Sequence, residues 1–343
     1  MNNKPFLSVI IPCYNSEKTI RQTMESILLN KLDEGEMEVI VVDDRSTDNS
    51  MTIVREYEKE LNIRYVETTR SVHCAGNTRQ AAFPYIRGEW FTCIDSDDSF
   101  EPDVLPKVKE FLENHDVKYT LCTNFRGYNP FKDQYDHSYL CEHCDTWLHG
   151  KFFNTKKTLI EFGCYFPEDL VSHEDTFFNC MNLANIIARG SDYVRINLFT
   201  YKWTYNPNSL TRSKENGVYF YVERYLDEYV YSSTEPYFQM LKTIKTTAHR
   251  EWFIHQIMMS MLHAYFYHQA TVWRMGYDYI PKNITVMHEL KLRMINELEI
   301  NEFDIINYVH NNPVRYDSIK RSCENGTCAF IETQSFRDFV LNL

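Results

Sequence analysis

Between Trp90 and Asp98 the chain reads Trp-Phe-Thr-Cys-Ile-Asp-Ser-Asp-Asp, an apolar run that ends in three clustered carboxylates. Acidic groups packed that closely at the end of a buried strand repel one another unless a cation or a hydrogen-bonded ligand holds them. Hard divalent cations take oxygen ligands, and magnesium is usually held by one or two carboxylates together with the phosphates of a substrate. Asp95, Asp97 and Asp98 therefore point to a metal and a phosphorylated ligand.

Two other segments offer groups suited to such a ligand. Pro12-Cys13-Tyr14-Asn15 and Asp43-Asp44-Arg45-Ser46-Thr47-Asp48 each follow a strand-like run. Tyr14 presents a flat face on which a base can stack, and Asp44 a carboxylate that can accept an imide proton, a pair that suits uracil. Ser-Thr-Asp before a helix also reads as a capping sequence, so neither motif is decisive alone. In Gly76-Asn77-Thr78-Arg79-Gln80-Ala81-Ala82 an arginine is expected near a helix start, from which it would reach a diphosphate or a base carbonyl.

These residues need a frame, and the first 125 residues supply a βαβα pattern. Leu7–Ile11, Val39–Val42, Ile63–Val66, Trp90–Ile94 and Tyr119–Cys122 read as mainly parallel strands, most of them too continuously apolar to be half exposed. Ile20, Met24, Ile27 and Leu28 fall at helical spacing behind Ser16 as N-cap, and Val54, Tyr57 and Leu61 behind Ser46–Asp48. Such a sheet binds ligands beyond the carboxyl ends of its strands, where Tyr14, Asp44 and Asp95 stand. Residues 126–153 lose this pattern and read as a long acceptor-side loop or small insertion. A helix is expected around Lys156–Phe162, a polar turn at Phe166–His173, and a further helix at Glu174–Ala188. After a turn at Asn206–Ser209 the chain is mainly helical, including Trp252–His268.

A length of 343 residues suits two domains, placed at 1–212 and 213–343. A formal charge of -12 disfavours a broad electrostatic grip on nucleic acid. With neither a run of about 18 apolar residues nor a signal-peptide core, the chain is expected to be soluble and cytoplasmic, at most peripheral to a membrane. Its cysteines read as reduced core residues. Cys141-Glu-His-Cys144, near His137 and His149, has zinc-like spacing, with Cys323 and Cys328 as distant candidates, but an ordinary loop with buried thiols outweighs that reading.

The ordered set strand-Pro-x-Tyr-Asn, strand-Asp-Asp-x-Ser-Thr-Asp, Thr-Arg-x-Ala-Ala, Arg-Gly-Glu-Trp and strand-Asp-x-Asp-Asp resembles the family 2 glycosyltransferases of the GT-A fold, over roughly residues 5 to 212. The resemblance implies a Rossmann-like, mainly parallel sheet with flanking helices, here followed by a helical C-terminal domain. It implies inverting transfer from a UDP-sugar with Mn2+ or Mg2+ on the Asp-x-Asp motif. Pro12, Tyr14, Asp44, Arg79, Asp95, Ser96 and Asp97 would line the nucleotide sugar, with Asp97 and Asp98 on the metal. His173-Glu174-Asp175 resembles the family's Glu-Asp motif, which makes Asp175 the expected base and Glu174 its alternative, with His173 structural. Tyr201-Lys202-Trp203 and Asn208-Ser209-Leu210-Thr211 resemble the family's closing segment. Gln80 replaces a common Asn, and Arg45 a frequent Gly.

Three functions compete. The leading one transfers sugar to a glycan or lipid-linked oligosaccharide. The second is a phage-type DNA glycosyltransferase acting on a hydroxymethylated or already glycosylated base, in host cytoplasm. The third is a non-catalytic nucleotide- or glycan-binding module. Phe125, Tyr128, Phe131, Tyr135, Tyr139 and Trp147 would offer stacking faces to sugars or bases alike, and the C-terminal helices a homodimer face.

Overall fold

Long apolar runs demand burial on both faces, and in a computed structural model they obtain it. Residues 4–69, 74–129, 134–141, 147–168, 170–206, 225–244, 247–263 and 280–300 are described here. β1 (Leu7–Cys13), β2 (Met37–Asp43) and β4 (Trp90–Cys93) are buried almost throughout, whereas β3 (Ile63–Glu67) alternates, as suits the edge strand it forms. β2 and β4 flank β1 in parallel, and β3 joins β2 in parallel.

Beyond β4 the sheet changes sense. β8 (Lys151–Asn154) runs antiparallel to both β4 and β6 (Thr120–Asn129), β9 (Val194–Trp203) lies parallel to β6, and short β5 (Ser99–Phe100) closes antiparallel on β9. β7 (Gln134–Tyr139) pairs with β6 off this path, giving nine strands in order β3-β2-β1-β4-β8-β6-β9-β5 among the described residues. The expected loop at 126–153 is therefore corrected: it contributes strands. Its polar and aromatic residues conceal a period of two. Residues 130–133 and 142–146, and with them Phe131 and Cys144, lie outside the described residues, as do Cys323 and Cys328.

The helices pack by their apolar stripes. α1 (Ile20–Leu28) buries Ile20, Thr23, Met24 and Ile27, and α2 (Ser50–Arg55) leads into a turn that buries Tyr57 and Leu61. Ser16 is not the N-cap, which is Thr19; its carbonyl accepts the Thr19 and Ile20 amides instead. α3 (Ala75–Ala82) and α4 (Leu105–Asn114) follow, and Lys156–Glu161 winds as a π-helical turn where an α-helix is expected. α5 (Glu174–Ile187) matches its expected span and starts from His173 in the left-handed conformation (φ 55°). One core cluster runs from Leu7 to Tyr201, and Cys13, Cys74, Cys93 and Cys164 are buried reduced thiols.

The chain divides into two compact units, Met1–Asn206 and Pro207–Leu343, earlier than the division expected at 212. In the second unit α6 (Tyr225–Leu241, containing Pro236), α7 (Thr247–His263) and α8 (Ile280–Leu298) bury Phe238, Phe253, Ile257, Leu290 and Met294. The Arg293 guanidinium lies 4.1 Å from the Phe238 ring centroid while pairing with Glu235 at 2.9 Å. Residues 207–224, holding the expected turn and closing segment, and the remainder of the helix expected to run to His268 lie outside the described residues. No helix among the described residues is long and apolar enough to cross a membrane.

Candidate active site

The carboxyl ends of β1 and β2 are sewn together by short polar bonds. The Asp44 amide donates to the Cys13 carbonyl at 2.8 Å, Asn15 Oδ1 accepts the Thr47 amide at 2.8 Å, and the Asn15 amide donates to Ser46 Oγ at 3.0 Å. Pro12 is buried within β1, and Tyr14 beyond it is 43% exposed. Asp44 is buried, with Oδ1 accepting from Thr68 Oγ1 at 2.6 Å. Arg45 adopts φ 63°, a left-handed geometry that glycine takes without strain. Its side chain offsets that cost through bonds to the Thr68 and Thr69 carbonyls.

The turn after β4 sends its carboxylates three ways. Asp95 Oδ1 meets Arg79 Nη2 at 2.5 Å. Burial opposes ionisation of Asp95, but the Arg79 charge holds its carboxyl below the usual range. Ser96 Oγ lies 2.7 Å from Ser16 Oγ, and Asp97 Oδ2 accepts from Asn206 Nδ2 at 2.8 Å. Asp98 is buried and takes Tyr201 Oη at 2.6 Å and the Thr204 amide at 2.7 Å. Burial, reinforced by Asp97 and Asp95, raises its carboxyl well above the ordinary value.

Ligand atoms of Asp95, Asp98 and His149 lie within 4.8 Å of one another, which adds His149 to the expected acidic cluster, while Asp97 Oδ2 accepts from Asn206 Nδ2. His149 precedes β8 and packs against Tyr201, Phe125, Trp147 and Trp203. Burial lowers its pKa to about 4, and its buried Nδ1 has no hydrogen-bond partner. A neutral imidazole whose Nε2 lies 4.0 Å from Asp98 Oδ2, in a group with two carboxylates, fits a divalent cation. His149 drew notice in the sequence only for its nearness to Cys141 and Cys144. What brings it to the carboxylates is the β6–β8 pairing, hidden in a stretch read as loop.

The place expected for Arg79 near the start of its helix is corrected. Arg79 occupies the last turn of α3, not the first, and is 5% exposed. Its two terminal nitrogens go to Asp95 and, at 2.8 Å, to Glu174 Oε1. Arg79 thereby bridges two carboxylates. Glu174 is buried, and burial pushes its pKa up to about 7 despite Arg79. Asp175 is half-buried in the first turn of α5, its Oδ1 accepting the Thr176 amide at 2.7 Å. Burial raises its carboxyl also. Of the aromatic set, Phe125 is buried and stacks on Tyr139 at 4.6 Å, while Trp147 joins them and Trp203 lies over Gly127.

With that geometry in place, the sequence profile of "Glycosyl transferase family 2" matches residues 8–175. Residues 8–175 belong to glycosyl transferase family 2. A Staphylococcus aureus poly(ribitol-phosphate) beta-N-acetylglucosaminyltransferase, TarS, is 32% identical over 50% of this chain and 31% of its own length. A putative teichuronic acid biosynthesis glycosyltransferase of Bacillus subtilis, TuaG, is 34% identical over 37% of this chain and 48% of its own. The chain thus spans less than half the length of either. The crystal structure of S. aureus TarS 1-349 in complex with UDP-GlcNAc superposes with a TM-score of 0.68 at 22% identity, covering 88% of this chain and 83% of that one. The fold is GT-A, with a helical C-terminal region.

Proposed function

We propose that the chain is an inverting glycosyltransferase that moves a sugar from a UDP-sugar to a hydroxyl of a glycan polymer of the teichoic-acid type. The observation that carries this reading is a separation of carboxylates by environment. Arg79 holds Asp95 ionised on the donor side, whereas burial raises Asp175 on the other side of the Arg79–Glu174 bridge. Carboxylates whose surroundings push their pKa values apart divide into charge stabiliser and proton acceptor. The names of the relatives support donor and acceptor: TarS is solved with UDP-GlcNAc, and the TarS and TuaG names refer to poly(ribitol-phosphate) and teichuronic acid. They lend nothing to the DNA-base reading, which is not carried further.

Tyr14 would stack on uracil while Asp44 accepts its imide proton. Asp175 would take the acceptor hydroxyl's proton as that oxygen attacks the anomeric carbon from the face opposite the diphosphate, so one displacement inverts the centre. Asp95, Asp98 and His149, with Asp97 beside them, would hold Mn2+ or Mg2+, which neutralises charge on the departing diphosphate. Their donor set supports that assignment. The test is a thermal-shift panel of nucleotide sugars with and without Mn2+, then transfer to poly(ribitol-phosphate) with the product anomer read by NMR. Stabilisation confined to UDP-sugars and a product of opposite anomeric configuration are expected. Stabilisation by GDP-sugars alone, or retention of configuration, would overturn the reading.

A further inference from the structure

α3 is fastened along one side to the segment that leads into α5. The Cys74 thiol, at its N-cap, donates to the Leu170 carbonyl at 2.6 Å, and Asn77 Nδ2 to the Glu168 carbonyl at 3.1 Å. Gln80 Oε1 accepts the Phe166 amide at 2.9 Å. Three side chains thus satisfy backbone groups of Phe166, Glu168 and Leu170, none of which lies in a helix or strand. Gly76 marks the closest approach: a Cβ on it would lie 2.5 Å from Glu174 Cγ and 2.9 Å from Glu174 Cβ. Only a residue without a side chain lets the helix backbone meet α5 at this distance. One turn on, Arg79 spans from Glu174 to Asp95, with its charge 5.9 Å from the Phe166 ring centroid.

We propose that Arg79 is a positioning residue that fixes the base Asp175 from the donor side of the site, gripping Asp95 with one nitrogen and Glu174, the neighbour of Asp175, with the other. The inference rests on the reading of Asp175 as base. A planar guanidinium holds its two partners at a fixed separation, so the turn after β4 and the first turn of α5 cannot shift independently. Gln80 acts with it by pinning Phe166 at the other end of the same segment. This also explains why the position commonly filled by Asn in the family tolerates Gln here: its longer amide reaches a backbone N–H across the helix interface.

The test compares Glu174→Ala, Glu174→Gln, Arg79→Lys and the double variant Arg79→Lys/Glu174→Ala, with UDP affinity measured by calorimetry beside kcat and KM. Glu174→Ala should keep the UDP Kd within about threefold while kcat falls at least about thirtyfold. Glu174→Gln still accepts an Arg79 N–H and should restore kcat to within about fivefold of wild type, which loss of a chemical role would not allow. Arg79→Lys keeps the charge but reaches one carboxylate, so its kcat should fall like that of Glu174→Ala, and the double variant should be no worse than either. Losses that multiply, a Gln variant as slow as the Ala variant, or an Ala variant at wild-type kcat would overturn the proposal. If Glu174→Ala shows no cooperative melt, Gln80→Ala takes its place, with an expected loss in kcat of about fivefold at unchanged UDP Kd; an unchanged kcat there would overturn the proposal. Failure of the underlying reading looks different: Asp175→Asn would turn over at the wild-type rate, and both would fall together.

Discussion

Asp175 and Glu174 are neighbours in one helical turn with different surroundings, and substitution should separate them. Asp175→Asn keeps the shape and removes the proton acceptor, so UDP affinity should hold while kcat falls about 100-fold or more. Turnover close to wild type would remove the base assignment. Glu174 titrates at about 7 in the folded chain because of its burial, against an ordinary 4.5. The folded state therefore keeps a proton that the unfolded chain releases across that window. The stability this contributes is complete below pH 4.5 and is lost as pH rises through about 7. In Glu174→Gln the group stays neutral, so the wild-type melting temperature should fall relative to the variant between those limits. A difference that stays flat with pH would contradict the shift. The positions of Asp175, Asp44 and Tyr14 at strand or helix ends were legible in the sequence because each lies inside an ordered motif. His149 was not, because its neighbours in space arrive from β4 and β9, and no local spacing encodes that meeting.

Among the elements, the Arg87-Gly88-Glu89-Trp90 motif shows how a signature can be architectural. Glu38 is fully buried in β2, where Oε1 accepts from Ser8 Oγ at 2.6 Å and from the Arg87 amide at 2.8 Å, and Arg87 Nε meets Oε2 at 2.7 Å. Gly88 is forced by proximity: a Cβ there would lie 2.5 Å from the Ser8 backbone nitrogen. Backbone cannot swing aside, so Gly88→Ala should spread β1 from β4 and cost about 1–3 kcal/mol in a urea melt. A cost near zero would show that the strands slide freely. β1, β2 and β4 were readable because strands buried on both faces are continuously apolar. The start of β6 was read as a strand at Tyr119–Cys122, but its continuation and β7 were missed because they carry residues such as Arg126, Gly127 and His137 where apolar periodicity would be sought.

At the scale of the molecule, the core cluster and every described site residue fall within Met1–Asn206. Residues 1–206 expressed alone should melt cooperatively and bind UDP within about threefold of the full chain. A fragment that melts without a transition would show that the first unit needs the second. The two-part organisation was legible because helical periodicity replaces strand alternation along the chain. The exact division was not, since Asn206 belongs to the first unit through its bond to Asp97, a tertiary contact.

The buried thiols offer a way to time the opening of two strands. Burial raises Cys13 to about 11 and Cys93 to about 12, one ending the strand before Tyr14 and the other the strand before Asp95. Alkylating reagents attack thiolates, so these positions should react only in moments when β1 or β4 opens. Pulse labelling read by mass spectrometry would time those openings, and UDP-sugar with Mn2+ should slow both rates together. Labelling that ignores the ligand would place the breathing of these strands outside the reach of the donor.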